Sequence, residues 1–258
     1  MAWNPDQYHL YSDHRLRPAL DLLSQVQLIK PLVIYDLGCG SGNVTSFLSK
    51  RWNESIVVGV DNSTEMLAKA KSDYPAIEWQ HSDISEFDPS SAGHLIFSNA
   101  ALHWLDDHET LLPNLLNKLI PGGVLAVQMP NNFQAPSHQL LYELAQSDRW
   151  QKRLGHLVRP APVHKLEWYY DLLSPLVADL NLWETSYFQV LEGKNAVLEW
   201  TRGTALRPFL ETLGDERERH IFEEEYAERL MEAYPQQEDG STLYPFSRLF
   251  IVAQTADD

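Results

Sequence analysis

The segment Asp36-Leu37-Gly38-Cys39-Gly40-Ser41-Gly42-Asn43 follows the apolar run Val33-Ile34-Tyr35 and leads into a helical pattern. Glycines at alternate positions let a chain turn sharply and leave room for a ligand where a Cβ would collide. The helix after such a turn presents free N–H groups at its start, which suits a negatively charged ligand group. The spacing D-x-G-x-G-x-G is not the dinucleotide fingerprint G-x-G-x-x-G, because Asn43 stands where a small residue is needed. A second acid, Asp61, closes the apolar run Ile56-Val57-Val58-Gly59-Val60 nineteen residues after Gly42. That is near the roughly 20 residues expected for a ribose-binding carboxylate in a βαβ unit. A carboxylate accepts hydrogen bonds from both ribose hydroxyls more strongly than a neutral side chain does. Two strand-end acids at this spacing point to a nucleoside ligand. Cys39, the only cysteine, sits between two glycines and reads as a small-residue requirement rather than a nucleophile. No disulfide, thiolate cage or metal site is expected.

The elements that must position these residues alternate between strand and helix. After a short aromatic lead-in, Ala19, Leu20, Leu22, Leu23 and Val26 mark one face of a helix behind Pro18. Strands are expected at 33–37, 56–61, 77–80 and from His94 to about Asn99, with helices over 44–51 and around Met66 to Ala70. Leu111 to Ile120 reads as a helix, and Pro121-Gly122-Gly123 breaks it ahead of a fifth strand. This rhythm through residues 33 to 129 predicts an α/β fold with an open, doubly wound, mostly parallel sheet. In such a sheet ligands meet the carboxyl ends of the strands, so Asn99 to Trp104 should line the site. Beyond Met129 helices are expected at 136–147 and 165–175, a strand at 184–191, mostly helix over 196–234, and a closing strand at 249–253.

The glycine motif, the two strand-end acids, Asp83 after the third strand, Asn99-Ala100-Ala101-Leu102-His103-Trp104 after the fourth and the helix-Pro-Gly-Gly-strand passage resemble the class I S-adenosylmethionine-dependent methyltransferases. The resemblance implies a Rossmann-like seven-stranded sheet with its last strand antiparallel and helical cap insertions. It implies a lid segment over residues 1–30, a cofactor-binding core over 31–130, and the rest of the sheet over 131–258, with caps at about 131–163 and 195–236. It places S-adenosylmethionine against Asp36, Gly38, Gly40, Asp61, Asn62, Met66, Asn99 and Ala100, with Asp83 on the adenine amino group and Ile84 on the ring. Tyr8 and Arg15 would belong to the lid, with Arg15 near the cofactor's carboxylate. His103 and Trp104 would position the acceptor.

Trp3-Asn4-Pro5, Leu206-Arg207-Pro208-Phe209 and Arg248-Leu249-Phe250-Ile251-Val252-Ala253 extend the likeness to carboxyl-methylating members of that family, whose acceptor is a small polycarboxylic acid. A carboxylate is already ionised at neutral pH, so its methylation requires no general base. Its remaining carboxylates call for guanidinium forks. Arg207, set in an apolar passage, is the favoured fork, with Arg248 and Tyr170 beside it and Arg149, Arg153, Arg159 and Arg202 as further candidates. Another small metabolite as acceptor, or a module that binds the cofactor without turnover, remain open alternatives. The net charge of −16 excludes the basic stripe that nucleic acid or an anionic membrane requires. No secretory leader or bilayer-length apolar run is evident, so a cytoplasmic monomer or weak homodimer is expected.

Overall fold

The apolar runs become the middle of a sheet. The structure is a computed structural model that describes residues 16–257; Tyr8 and Arg15, expected in a lid, lie outside the described residues. Strands β1 (Val33–Leu37), β2 (Ile56–Asp61), β3 (Glu78–His81), β4 (Gly93–Asn99), β5 (Leu119–Pro130), β6 (Asp179–Leu191) and β7 (Thr242–Gln254) form one sheet in the order β3-β2-β1-β4-β5-β7-β6. β1 to β5 run parallel and β7 runs antiparallel to β5. This is the expected mostly parallel, doubly wound architecture. β1, β2 and β4 are apolar almost throughout because helices cover both faces of a parallel sheet; Ile34, Leu37, Val60, Ile96 and Phe97 are fully enclosed.

Several boundaries differ from expectation for local reasons. The fourth-strand helix covers His108–Leu116, because Asp107 caps it by accepting the Thr110 N–H at 3.1 Å. The chain behind it is already strand: Leu119 pairs with Gly93, and the Pro-Gly-Gly break is absorbed as a register shift before Val124 meets Leu95. β6 begins five residues before Glu184. The helical tail is three helices, Ala196–Arg202, Arg207–Thr212 and Glu216–Ala233.

By internal contacts the chain divides into two units. Unit 1 takes the described residues to Pro130, Pro162–Glu184 and the chain from Arg248 onward, and unit 2 takes Asn131–Ala161 and Thr185–Ser247. Unit 2 has its own aromatic core, with Trp150, Phe209, Phe222, Tyr226 and Tyr244 nearly inaccessible. Ser137 ties it together: its carbonyl accepts the Tyr226 hydroxyl at 2.6 Å and its N–H donates to the Tyr234 hydroxyl at 3.1 Å. No helix among the described residues is long and apolar enough to cross a membrane.

Candidate active site

The carboxyl end of β1 is held open by glycine. Gly38 has φ 74°, and a Cβ there would fall 2.2 Å from the Ala101 Cβ on the loop leaving β4. Gly42 has φ 83°, and its missing Cβ makes room for the Trp79 ring at 2.4 Å. Left-handed backbone and close approach together make any side chain at either place strained. Asn43 opens the next helix and receives the Tyr74 hydroxyl at 3.1 Å, which gives that residue a structural duty.

Asp36 is 1 % exposed and receives the Thr45 hydroxyl at 2.6 Å. Burial pushes its carboxyl up to about 7 against the pull of that hydrogen bond, and the charge of Asp61 adds to the rise. Asp61 accepts the Gly40 N–H on Oδ2 and the Ser63 N–H on Oδ1, each at 2.8 Å. Two backbone donors leave a carboxylate further lone pairs for hydroxyl groups. The cap of the helix Thr64–Asp73 is Ser63, which accepts the Met66 N–H, so Asp61 is not committed to that task. Asp83 accepts from the Ser85 hydroxyl at 2.6 Å and the Asn62 amide at 3.2 Å, and these bonds hold its carboxyl below the usual range. The Ile84 side chain reaches toward Gly38.

A cleft of about 380 Å³ opens here, lined by Leu16, Asp36, Gly38, Gly40, Met66 and Asn99 among others. Gly40, at φ 54°, has open space where a Cβ would stand, and the Asn99 Oδ1 is buried with no hydrogen-bond partner among the described residues. Acids on three successive strand ends, an unfilled glycine cradle and an orphaned amide oxygen suit a cationic nucleoside. A slightly larger cavity of about 410 Å³ in unit 2, bordered by Lys194 and Met231, carries none of these acids. The residues of the cofactor set that fall within the described chain are thus gathered at one edge, whereas Cys39, Ser41 and Val44 line the cleft without having been expected there. Burial beside Asp36 and Asp61 raises the Cys39 thiol far above its ordinary value, which keeps it protonated and inert.

The turn after β4 is set by backbone and by a neutral histidine. Ala100, at φ 54°, donates its N–H to the Gln128 carbonyl at 2.9 Å. His108 meets the Leu102 carbonyl with Nε2 at 2.9 Å and the Tyr169 hydroxyl with Nδ1 at 2.7 Å. Burial lowers the His108 pKa, so Nε2 carries the proton and Nδ1 accepts. That pair fixes the short turn bearing His103, which is 9 % exposed, and Trp104, which is 67 % exposed. Sequence reasoning passed over His108; its signal was a histidine directly after a helix-capping acid.

The acceptor residues fare unevenly. Arg248 is 9 % exposed and stands at the carboxyl edge of the sheet, opposite Pro130. Tyr170 is 58 % exposed, while its neighbour Tyr169 is the buried one. Arg207 requires a correction: it lies on the surface, ion-paired at 2.7 Å with Glu211 one turn along its helix. Its apolar sequence neighbours Leu206 and Phe209 point inward while it points out, so the premise of a buried charge in need of a partner fails. Arg149, Arg153 and Arg202 pair with Glu225, Glu218 and Glu223. The acidic helix Glu216–Ala233 thus supplies counter-charge to these arginines. Among the described residues no group of His, Cys, Asp and Glu side chains could hold a metal ion.

Sheet order, glycine turn and strand-end acids together define an S-adenosylmethionine-dependent methyltransferase, and residues 34–123 match the Methyltransferase domain family. The YcgJ protein of Bacillus subtilis superposes with a TM-score of 0.59 at 12 % identity, over 94 % of this chain and 99 % of that one. A Haemonchus contortus phosphoethanolamine N-methyltransferase in complex with S-adenosylhomocysteine gives 0.53 at 16 % identity, over 93 % of this chain and 52 % of that one. A trans-aconitate 2-methyltransferase of Azoarcus is 46 % identical over 98 % of both chains. The chain belongs to the trans-aconitate 2-methyltransferase family.

Proposed function

We propose that this enzyme esterifies one carboxylate of trans-aconitate or a closely related small polycarboxylic acid. The observation that carries the reading is Arg248, a guanidinium buried at the carboxyl edge of the same sheet whose other strand ends line the cofactor cleft. An arginine fork matches a carboxylate with two parallel hydrogen bonds, and the Azoarcus relative bears this activity in its name.

When bound, S-adenosylmethionine supplies an electrophilic methyl group: a carboxylate oxygen forms the O–C bond as the C–S bond breaks, and no proton moves. The chain's own work is therefore binding, orientation and exclusion of water. Asp36 offers a negative charge in a dry setting to the cationic ligand, and Asp61, Asp83 with Asn62, Ile84 and Met66 hold its sugar and base. Arg248 holds a carboxylate that does not react. His103 and Trp104 orient the acceptor, and His108 keeps their turn in place.

The test is turnover with labelled cofactor and a panel of di- and tricarboxylic acids, compared with alcohols, amines and phenols of similar size. Transfer to trans-aconitate or a near analogue, yielding a base-labile ester, is expected. Transfer only to neutral or cationic acceptors, or cofactor binding without transfer to any acid, would overturn the proposal.

A further inference from the structure

Gln128 stands near the carboxyl end of β5 in the run Val124-Leu125-Ala126-Val127-Gln128-Met129. It is 1 % exposed, yet neither Nε2 nor Oε1 has a hydrogen-bond partner among the described residues. A buried, unpaired carboxamide is costly, and natural proteins keep such groups where something else completes them. The register says where this one lies. Gln128 pairs with Asn99 on β4 and with Phe250 on β7. Residues two apart on a strand share a face, so these three share a face with Phe97, which pairs with Asp36. Asn99 lines the cofactor cleft and has its own orphaned Oδ1. A buried carboxamide and a half-buried one with an enclosed oxygen thus stand side by side, on the sheet face that carries the cleft-lining Asp36. Arg248 lies on the same face, opposite Pro130, about 7 Å further along and one strand spacing of about 4.8 Å across.

We propose that Gln128, supported by Asn99, holds the carboxylate that is methylated, while cationic groups hold the carboxylates that are not. The inference rests on the carboxyl-methylating reading and deepens it. Its physical reason is that the reacting carboxylate loses its charge on the way to the ester. A guanidinium on that group would bind the starting anion better than the transition state and so slow the step. A neutral carboxamide orients an oxygen lone pair without fixing a full counter-charge, and its N–H is worth most where water is excluded. The backbone of Gln128 is fixed between two strands, and its carbonyl accepts the Ala100 N–H at 2.9 Å.

Two variants test this in the full-length enzyme. Gln128→Met keeps the volume and removes the amide. It should bind S-adenosylmethionine within about twofold and melt no lower than wild type, while kcat/KM for the acid falls by about 10- to 100-fold, the scale of a hydrogen bond to a charged group. Gln128→Glu should lose more at pH 8, where one carboxylate faces another. It should recover relative to wild type toward pH 5.5, where a protonated Glu donates a hydrogen bond. Buried structural packing predicts no such recovery, and this arm stands if the Met variant does not fold. A kcat/KM within threefold of wild type for Gln128→Met, equal losses in cofactor affinity, or a Gln128→Glu profile parallel to wild type would overturn the inference. A wild-type enzyme that methylates no polycarboxylic acid would overturn it together with the proposed function, whereas active wild type with insensitive variants would overturn the Gln128 assignment alone.

Discussion

Asp36→Asn gives the sharpest test of how the cofactor end of the site works. The carboxyl of Asp36 is displaced from 3.8 to about 7 by burial. A displacement of that size corresponds to about 4 kcal/mol of differential stability between its two protonation states. Below about pH 4 the group is protonated in the folded and the unfolded chain, and it has no net effect. Between about pH 4 and 7 the unfolded chain releases the proton while the folded chain keeps it, so stability falls as pH rises. Above about pH 7 the loss is complete. Asparagine occupies the same space, and its oxygen can still accept the Thr45 hydroxyl, but it never ionises. The ligand-free variant should therefore match wild type near pH 4 and exceed it at pH 8 by up to about 4 kcal/mol, a rise in Tm on the order of 10 °C. It should also lose affinity for the cationic cofactor. Wild-type binding should strengthen toward neutral pH and release close to one proton near pH 6, seen by calorimetry in buffers of different ionisation enthalpy. The asparagine variant should release none. An asparagine variant that melts below wild type at pH 8, or wild-type binding with no proton release, would refute the reasoning.

Three further outcomes are expected. Asp61→Ala frees the Gly40 and Ser63 N–H groups as well as removing the sugar's acceptor, so cofactor Kd should rise by at least about 30-fold with the circular dichroism unchanged; unaltered affinity would remove the ribose assignment. Gly42→Ala forces a Cβ onto Trp79 at a left-handed φ and should destabilise by about 1–3 kcal/mol with a shift in tryptophan emission; a melting temperature equal to wild type would contradict the packing. Arg207→Ala breaks only an exposed pair, so acceptor KM should stay within about twofold and stability within about 1 kcal/mol; a tenfold rise in KM would return Arg207 to the substrate site.

What was legible in the sequence was what local pattern controls. Ile56–Asp61 could be read to the residue because a fully buried parallel strand is an unbroken apolar run ending where the ligand edge begins. β6 was read short because its first residues, Asp179-Leu180-Asn181-Leu182, carry the polar half of a partly exposed strand and look like loop. Arg207 was misjudged because apolar neighbours in sequence are not neighbours on a helix: residues one and two positions away lie on other faces. The same rotation separates buried Tyr169 from exposed Tyr170. Gln128 went unnoticed because a single amide inside an apolar strand has no motif, and only the register sets it beside Asn99.

The two oxygens of Asp61 act as a rivet between the ends of β1 and β2. A glutamate, one methylene longer, would have to lift the glycine loop or let go of Gly40, so the same charge on a longer arm is not equivalent here. Asp83 lies in the loop after the edge strand β3 and is tied by the Ser85 hydroxyl and N–H and by the Asn62 amide. Of the two carboxylates, Asp61 bridges two loops through backbone donors, while Asp83 is held within its own short turn and by one neighbouring amide, so a change at Asp83 would disturb less of the frame.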